Sequence, residues 1–198
     1  GWTVLNGTFS AENQMLSATS SGEFCSIQHS SSVDYGNWSL DYYHNPNVSI
    51  SQTALVCIMA DELVKGEGVY ADTLVPLNGY SLDFWVLGTA FNLWIDGAPH
   101  ALGGFSTTFS GWRTITITRD RSGHFEIYLN ETLEEELENA TLTTSELFSW
   151  STRPGNAIDN VIVTELEPST IALDPLLIGA GIAIVVVIIA IVVYVRRR

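Results

Sequence analysis

The feature that most constrains this chain is an uninterrupted apolar run close to its C-terminal end. The residues from Leu176 to Val195 carry no charged side chain, and Arg196, Arg197 and Arg198 follow directly. Twenty helical residues span about 30 Å, the thickness of a bilayer's hydrocarbon core. Because a backbone in lipid must satisfy its own hydrogen bonds, the run predicts one transmembrane helix. The arginines place its end in the cytoplasm, so the sequence predicts a single-pass plasma-membrane protein with an extracellular N-terminus.

This interpretation divides the chain into an extracellular domain (residues 1–166), a short stalk (167–175), the transmembrane helix (176–195) and a basic cytoplasmic tail (196–198). The stalk is so short that the domain is expected to sit close to the bilayer. Gly179 and Ala183 have the small-xxx-small spacing that lets two helices approach, which allows a homo-oligomer, although such spacings also arise by chance.

The part of the chain before the apolar run is strongly acidic. It holds all 22 Asp and Glu residues but only five of the eight Lys and Arg residues, so its formal charge is −17. Such a surface repels nucleic acid and anionic lipid, and we exclude a nucleic-acid partner. The same balance would also suit a salty habitat, or a soluble acidic surface without a special purpose.

Two cysteines, Cys25 and Cys57, each lie in a strand-like stretch. An even number in an oxidising extracellular space predicts one Cys25–Cys57 disulfide, which would stabilise the domain by about 3–4 kcal/mol. Two separate buried thiols are the alternative. The pair is too sparse for a zinc site, which needs four ligands at short spacing.

Five Asn-X-Ser/Thr triplets are potential N-glycan acceptors in an exported protein. They begin at Asn6, Asn37, Asn47, Asn130 and Asn139. Asn130 and Asn139 lie near predicted turns, where a glycan can be accommodated. The sequence therefore predicts a glycoprotein in which at least two of the five are modified.

The extracellular part reads as β-structure throughout. Short stretches rich in β-branched and aromatic residues are separated by Gly, Asn, Asp and Ser. About ten antiparallel strands in this length predict an all-β, two-sheet jelly-roll sandwich, followed by the transmembrane helix. We expect strands at Trp2–Asn6, Met15–Thr19, Glu23–His29, Trp38–His44, Val48–Met59, Tyr80–Leu87, Phe91–Ile95, Trp112–Arg119, His124–Asn130 and Ala157–Leu166.

The best-defined element is a hairpin in the second half of the domain. Trp112–Arg119 and His124–Asn130 alternate in polarity around an Asp120–Gly123 turn. When polar and apolar residues alternate with a period of two, one face of the strand pair is buried and the other is exposed to solvent. The expected core side chains are Ile115, Ile117, Phe125, Ile127 and Leu129. A second hairpin is centred on Asp96-Gly97, and Leu133–Glu138 can form a short helix.

Three stretches carry recognisable patterns: the opening GWTVLNGTFSAENQMLSA, the central GWRTITITRDRSGHFEIYLNETL and the closing AIDNVIVTEL. They resemble the first strands, the central hairpin and the last strand of the concanavalin A-like lectin/glucanase superfamily, above all its laminin-G-like members. Glu131 replaces the Gly that is usual in the hairpin. The anchored layout also resembles archaeal cell-surface proteins.

The resemblance implies a structural calcium ion, which many members of the superfamily hold where the first and last strands meet. Asp159 is the matching acidic position, and Glu12 near the N-terminal strands is its expected partner. Ca²⁺ takes six to eight oxygen ligands from carboxylates and carbonyls. Alternatively, Asp159 only caps a turn.

Catalytic patterns are missing from the sequence. Glucanases of the superfamily carry a Glu-x-Asp-x-x-Glu strand, which no stretch here matches, although a glycosidase needs a carboxylate pair. The run Glu134, Glu135, Glu136 and Glu138 is more typical of a solvated face. No nucleophile elbow or phosphate-binding glycine loop occurs. We therefore expect no enzymatic activity.

Sugar binding needs exposed aromatic faces beside planar polar groups. The segment YGNWSLDYYHNPN offers Trp38, Tyr42 and Tyr43 as candidates. Trp38 and Tyr42 share one face of the predicted strand, and Tyr43 shares the other face with Asp41. Aromatic residues at alternating positions are, however, more often core side chains than a binding platform.

The sequence favours a membrane-anchored cell-surface binding module that recognises carbohydrate or a surface protein in adhesion. The alternative is a structural, self-associating component of the cell envelope. An extracellular glycoside hydrolase is a third, poorly supported interpretation.

Overall fold

The computed structural model describes residues 1–12, 15–19, 24–48, 52–85, 87–108 and 110–166. Gly1–Leu166 form one unit. The expected stalk, transmembrane helix and basic tail all lie outside the described residues. Among the residues that are described, no helix is both long and apolar enough to cross a bilayer.

Sixteen strands and one 3-10 turn (Gly68–Tyr70) make up the regular structure of the described residues. The strands are β1 (Thr3–Asn6), β2 (Phe9–Glu12), β3 (Met15–Ala18), β4 (Cys25–Ser30), β5 (Gly36–His44), β6 (Gln52–Ala60), β7 (Leu63–Lys65), β8 (Leu74–Pro76), β9 (Gly79–Trp85), β10 (Gly88–Ile95), β11 (Ala98–Gly103), β12 (Gly111–Arg119), β13 (His124–Leu129), β14 (Thr132–Glu138), β15 (Leu147–Thr152) and β16 (Ala157–Glu165).

Two seven-stranded antiparallel sheets pack against each other, which confirms the predicted all-β sandwich. Sheet A has the strand order β1-β4-β15-β6-β9-β10-β11, and sheet B has the order β14-β13-β12-β5-β16-β3-β2. Strands β7 and β8 form a separate pair. Neighbours in each sheet are mostly distant in sequence, so the chain crosses between the sheets repeatedly.

The core between the sheets follows the period-two pattern of the central strands. In β5, buried and partly exposed side chains alternate from Gly36 to His44. Trp38 and Leu40 of sheet B share one apolar cluster with Leu82 and Phe84 of sheet A. Burying each such side chain contributes about 1.5–3 kcal/mol. The core prediction for the hairpin is confirmed, because all its members are buried: Ile115, Ile117, Phe125, Ile127 and Leu129.

Both predicted hairpin turns are present. Asp96 and Gly97 have φ angles of 52° and 74°, as a two-residue turn between β10 and β11 requires. At the β12–β13 turn, Gly123 N donates to Asp120 O at 3.2 Å. The Asp120 carboxylate accepts a further bond from the backbone N of His124 at 3.0 Å.

A third tight turn, Asn130-Glu131, joins β13 to β14 with φ angles of 49° and 67°. The left-handed conformation costs a residue with a Cβ about 1–2 kcal/mol. We expect Glu131→Gly to raise the free energy of unfolding by about 0.5–1 kcal/mol, because glycine adopts this conformation freely but loses more entropy on folding. Denaturant unfolding measures the change. Glu131→Ala keeps the Cβ and should give no gain; an equal gain in both variants would contradict the argument.

The expected short helix at Leu133–Glu138 is wrong. This segment belongs to β14, the outermost strand of sheet B, because the tight turn directs it back along β13. His124 Nδ1 lies 2.8 Å from Glu138 Oε1, and this hydrogen bond raises the pKa of the imidazole. The glutamates of β14 also discourage another strand from pairing with this edge.

The predicted Cys25–Cys57 disulfide is wrong as well. Cys25 lies in β4 and Cys57 in β6, and β15 runs between these two strands. Thr152 of β15 faces Cys25, and Ser149 faces Cys57. Neighbouring strands are about 4.8 Å apart, so this arrangement holds the two Cα atoms beyond the span of a disulfide. Cys57 is fully buried, and desolvation raises the pKa of its thiol.

Candidate functional site

The outer face of sheet A is covered by the chain itself. Residues 61–78, which we call the cover, leave β6, form β7, the 3-10 turn and β8, and return to β9. Tyr70 and Val75 of the cover share a second apolar cluster with Leu55 and Trp94 of the sheet. The cover therefore occupies much of the surface on which a ligand could lie flat against this sheet.

Beneath the cover lies a buried polar network centred on Asp83. Its carboxylate accepts hydrogen bonds from Tyr70 Oη at 2.6 Å, Ser81 Oγ at 2.5 Å and Asn92 Nδ2 at 2.9 Å. Trp94 Nε1 donates to Ser81 Oγ at 2.8 Å. Desolvation raises the pKa of Asp83 to about 7, against the lowering effect of its hydrogen bonds. These groups satisfy one another and are almost completely shielded from solvent, so they hold the cover in place and offer no surface to a ligand.

Within the described residues, no segment covers the outer face of sheet B as residues 61–78 cover sheet A, and β5, β12 and β16 lie side by side on it. Since Trp38, Leu40 and Tyr42 are buried in the core, the two-residue period turns Asp41 and Tyr43 outward. The neighbouring strands place their outward side chains beside these two. This face carries the candidate site.

An aromatic pair forms one wall of the candidate site. Trp112 of β12 lies directly opposite Tyr43 of β5, and their ring centroids are 5.4 Å apart at an interplanar angle of 49°. The Trp112 side chain is 44% exposed, whereas Tyr43 is half-buried. A tilted, partly exposed aromatic pair offers apolar faces to a ligand without disturbing the core.

Polar groups form the floor of the site, with Asp41 at the centre. Asp41 Oδ1 accepts a bond from Thr114 Oγ1 at 2.6 Å, and Asp41 Oδ2 accepts one from Asn160 Nδ2 at 2.7 Å. Asn130 Oδ1 accepts a bond from the backbone N of Thr114 at 3.0 Å. The resulting depression of about 330 Å³ is lined by Asp41, Trp112, Arg113, Thr114, Asn130 and Asp159.

A bulge in β16 brings the second carboxylate to this floor. The register of β16 against β5 shifts between Asp159 and Ile162, and Asn160 in the bulge has a φ of 48°. The shift leaves Asp159 directly opposite Asp41, and Asn160 N donates to Asp159 Oδ1 at 2.7 Å. Bulges and left-handed non-glycine residues are concentrated at functional sites, where they re-aim side chains.

The carboxylate pair differs from the one that the sequence predicted for calcium. Glu12 lies in β2, which β3 separates from β16, so Asp41 is the carboxylate beside Asp159. Among the described residues, no group of three or more His, Cys, Asp and Glu side chains is arranged to hold a metal ion. Asp159 and Glu12 alone do not make a site for an ion that takes six to eight oxygens.

Two of the three aromatic side chains proposed as ligand contacts are in the wrong place. Trp38 and Tyr42 are fully buried between the sheets, where no surface ligand can reach them. Tyr43 is on the outer face with Asp41, and the alternation of β5 had separated these two from Trp38 and Tyr42. Trp112 was not among the candidates. It alternates with the core residues Ile115 and Ile117, so the pattern of β12 already indicated that its side chain lies on the solvent-exposed face.

The asparagines of the five sequons differ in their exposure and in their hydrogen bonds. Asn47 is exposed in a turn, and Asn130 is exposed at the rim of the candidate site. Asn6 Nδ2, the atom that a glycan would modify, donates to Phe24 O at 3.0 Å. Asn37 and Asn139 are half-buried, and Asn139 Oδ1 accepts a bond from Tyr80 at 2.8 Å. Glycosylation stays a prediction, for which Asn47 and Asn130 offer exposed positions.

Solved structures share this fold at low sequence identity. The carbohydrate-binding module CBM66 from Bacillus subtilis has a TM-score of 0.59 at 17% identity, over 81% of this chain and 93% of that one. The exoplasmic/lumenal domain of VIP36, in its metal-free form, has a TM-score of 0.63 at 11% identity, over 85% of this chain and 86% of that one. The carbohydrate recognition domain of Emp46p, in its potassium-bound form, has a TM-score of 0.60 at 8% identity, over 82% and 86%.

These likenesses establish the fold alone, a two-sheet jelly-roll sandwich of the kind that the resemblance to the concanavalin A-like superfamily predicted. The same fold occurs in an enzyme, the Crh5 transglycosylase, with a TM-score of 0.58 at 10% identity over 84% of this chain and 79% of that one. No protein-family model matches the chain, and no curated protein matches it significantly in sequence.

Proposed function

We propose that this protein is a cell-surface glycan-recognition module whose ligand lies across the outer face of sheet B. The observation that carries the proposal is the partly exposed Trp112–Tyr43 pair beside the polar floor of Asp41, Asn130 and Asp159. A sugar ring has apolar C–H faces and an equator of hydroxyls, so it needs this combination of aromatic and planar polar groups. Support comes from fold neighbours described as carbohydrate-binding, one of them, VIP36, in a Ca²⁺/Man-bound form.

The charge of the site favours a neutral glycan. Asp41 and Asp159 place two carboxylates on the floor, and Arg113 is the one cation among the described residues that line the depression. Sugar hydroxyls donate readily to carboxylates in charge-assisted hydrogen bonds. Acidic sugars would meet both this floor and the negative field of the whole domain, so uronic and sialic acids are expected to bind poorly.

The anchoring part of the proposal rests on the sequence. The 20-residue apolar run and the three terminal arginines would hold the domain at the outer surface of the plasma membrane. A protease added to intact cells tests this topology, because it should remove the domain and leave the basic tail protected. Protection of the domain itself would contradict the proposed orientation.

A glycan array probed with the full-length chain in detergent tests the recognition. We expect neutral glycans to bind, and Trp112→Ala or Tyr43→Ala to weaken binding at least fivefold, since an aromatic anchor that the ligand buries is worth about 1–3 kcal/mol. Leu133→Ala removes a side chain with the same 44% exposure from edge strand β14 and serves as the matched control. Equal binding by the wild type and both aromatic variants would contradict the assignment.

Calcium is proposed only as an addition to this function and is tested on the same array with EDTA. Binding that is lost in EDTA and restored by calcium would assign an ion to the Asp159 region, with Asp41 as its neighbouring carboxylate. Binding that is unaffected by EDTA would show that the aromatic pair and the polar floor act without a metal.

Glycan cleavage is the second candidate, because Asp41 and Asp159 face each other on adjacent strands. Directly opposite Cβ atoms are about 4.5–5.5 Å apart, close to the carboxyl separation in retaining glycosidases. However, Thr114 Oγ1 and Asn160 Nδ2 both donate to Asp41, so it is held as an acceptor rather than as a proton donor. We expect mass spectrometry to find bound glycans intact after prolonged incubation. Cleavage that Asp159→Asn abolishes would establish the enzyme instead.

A further inference from the structure

Asn130 lines the candidate site and is also the first residue of an Asn-Glu-Thr sequon. It lies in the tight turn between β13 and β14, where its φ angle is 49°, and it is exposed to solvent. An exposed asparagine in a turn can carry an N-glycan without displacing neighbouring side chains. The candidate site therefore contains an acceptor for the class of ligand that it is proposed to bind.

The hydrogen bonds of Asn130 determine which end of its carboxamide is available. The backbone N of Thr114 donates to Asn130 Oδ1 at 3.0 Å, and the backbone N of Asn130 donates to Thr114 O at 2.8 Å. Because a backbone N–H needs an acceptor, the side-chain oxygen must face β12. Among the described residues, no hydrogen bond uses Asn130 Nδ2, unlike Asn6 Nδ2, which donates to Phe24 O. A glycan can therefore be attached to Asn130 Nδ2 without breaking a bond that the fold uses.

The strand register places Trp112 within reach of this attachment point. Asn130 lies opposite Thr114, since the two hydrogen bonds described above join them. Trp112 is two residues from Thr114 along β12, so both side chains project from the same face. Diagonal neighbours across two strands are about 7–8 Å apart, a distance that long side chains bridge. A sugar on Asn130 Nδ2 lengthens that side chain by one ring and brings it to the exposed Trp112 indole.

We propose that an N-glycan on Asn130 occupies the candidate site of its own chain, with its first sugar over the Trp112 ring. The modification forms a bond between Asn130 Nδ2 and the anomeric carbon of a lipid-linked oligosaccharide. The anomeric C–O bond to the lipid phosphate breaks, the lipid phosphate leaves, and Nδ2 loses one proton to a base of the transferring enzyme. The hydrogen bond between Asn130 Oδ1 and Thr114 remains intact.

The covalent link makes even a weak contact between the sugar and the indole effective. A group on a short linker has an effective concentration in the millimolar range. The depression of about 330 Å³ is near the lower limit of small-ligand pockets, so a sugar fixed at its rim leaves little room for a free one. Glycosylation of Asn130 would then close the site, and the unmodified chain would be the form that binds other glycans. This consequence rests on the proposed function, whereas the contact between the sugar and Trp112 does not.

Variants at the third position of the sequon test the inference without changing Asn130. Thr132→Ala removes the acceptor sequence, and Thr132→Ser keeps it. Ser49→Ala is the matched control, because it removes the sequon of Asn47, which is outside the set of residues that line the depression. Each full-length chain is produced in a host that performs N-glycosylation, with labelled tryptophan. The wild type is also produced in a host that lacks N-glycosylation.

We expect mass spectrometry to find a glycan on Asn130 in the wild type, in Thr132→Ser and in Ser49→Ala. Nuclear Overhauser effects should then join protons of the first sugar to the Trp112 indole. On the glycan array, Thr132→Ala and the unglycosylated wild type should bind at least fivefold more tightly than the glycosylated wild type. Ser49→Ala should bind as weakly as the glycosylated wild type.

A wild type without a glycan on Asn130, or with a glycan that makes no contact with Trp112, would overturn the proposal. Binding by the glycosylated wild type that is as tight as that of Thr132→Ala would also overturn it, and would leave the proposed function intact. If no form bound any glycan on the array, the proposed function would fail, but the occupancy of Asn130 and the contacts of its sugar would still decide this inference. The unglycosylated wild type gives the same comparison if Thr132→Ala does not fold.

Discussion

Replacing Arg119 with methionine is expected to lower the free energy of unfolding by about 3–5 kcal/mol, a large part of the roughly 5–15 kcal/mol that is typical of a folded domain. Arg119 is 1% exposed, near one end of the sandwich. Its guanidinium donates to Leu142 O at 2.7 Å and to Asp34 O at 2.8 Å. It also lies 5.3 Å from the Tyr35 ring centroid and 5.2 Å from that of Phe125. Methionine would fill part of the space but would leave two buried carbonyl oxygens without donors.

Denaturant unfolding of Arg119→Met beside Arg121→Met measures this effect. Arg121 is exposed, and its guanidinium lies over the same Tyr35 ring at 5.5 Å, so its loss should cost less than about 1 kcal/mol. Arg119→Lys should not restore stability, because one ammonium lacks the planar fork that reaches both loops. Similar stabilities for Arg119→Met and Arg121→Met would contradict this role.

Replacing Asp83 with asparagine is expected to abolish a fall in stability that the wild type shows between about pH 4 and pH 7. Burial raises the pKa of Asp83 to about 7, against about 3.9 in the unfolded chain. Between these values the folded protein holds a proton that the unfolded chain has released, so a rising pH favours unfolding. A difference of three pKa units corresponds to roughly 4 kcal/mol.

Asparagine suits the site because it resembles protonated Asp83. Its oxygen can accept bonds from Tyr70 and Asn92, and its amide can donate to Ser81. The quantity to measure is the difference in unfolding free energy between Asp83→Asn and the wild type, from pH 4 to pH 8. Groups common to both proteins cancel in it, including Asp61, whose lowered pKa acts in the opposite direction.

The expected difference grows with pH up to about 7 and is constant above it. Glu134→Gln on the exposed edge strand is the control and should follow the wild type. Asp83→Leu, which leaves the donors of the network without an acceptor, should destabilise the protein at every pH. Parallel pH profiles for Asp83→Asn and the wild type would show that Asp83 is ionised in the folded state.

Much of the sandwich could be predicted from local alternation. The β12–β13 hairpin has strict period two and a strong turn, so its core side chains Ile115 and Phe125 followed directly. Strand β15 was not predicted, because its sequence LFSWST is buried on both faces and shows no alternation. The segment LEEELE was mistaken for a helix because its strand pairing depends on the preceding turn and on β13.

The candidate site was only partly accessible to sequence reasoning. The alternation of β5 separated Tyr43 from Trp38 and Tyr42, but it could not show which side faced solvent. The pairing of Asp41 with Asp159 joins strands more than 100 residues apart and depends on a bulge at Asn160. The cover over sheet A is likewise a tertiary feature, which is why the choice between the two outer faces required the structure.

The most direct test of the central claim is a set of intermolecular nuclear Overhauser effects between a glycan from the array and the isotope-labelled full-length chain. We predict contacts from the ring protons of the sugar to the Trp112 indole and the Tyr43 ring. Contacts confined to Trp85 at the end of β9, or to Trp2 beside Phe148, would contradict the assignment of the site to the outer face of sheet B.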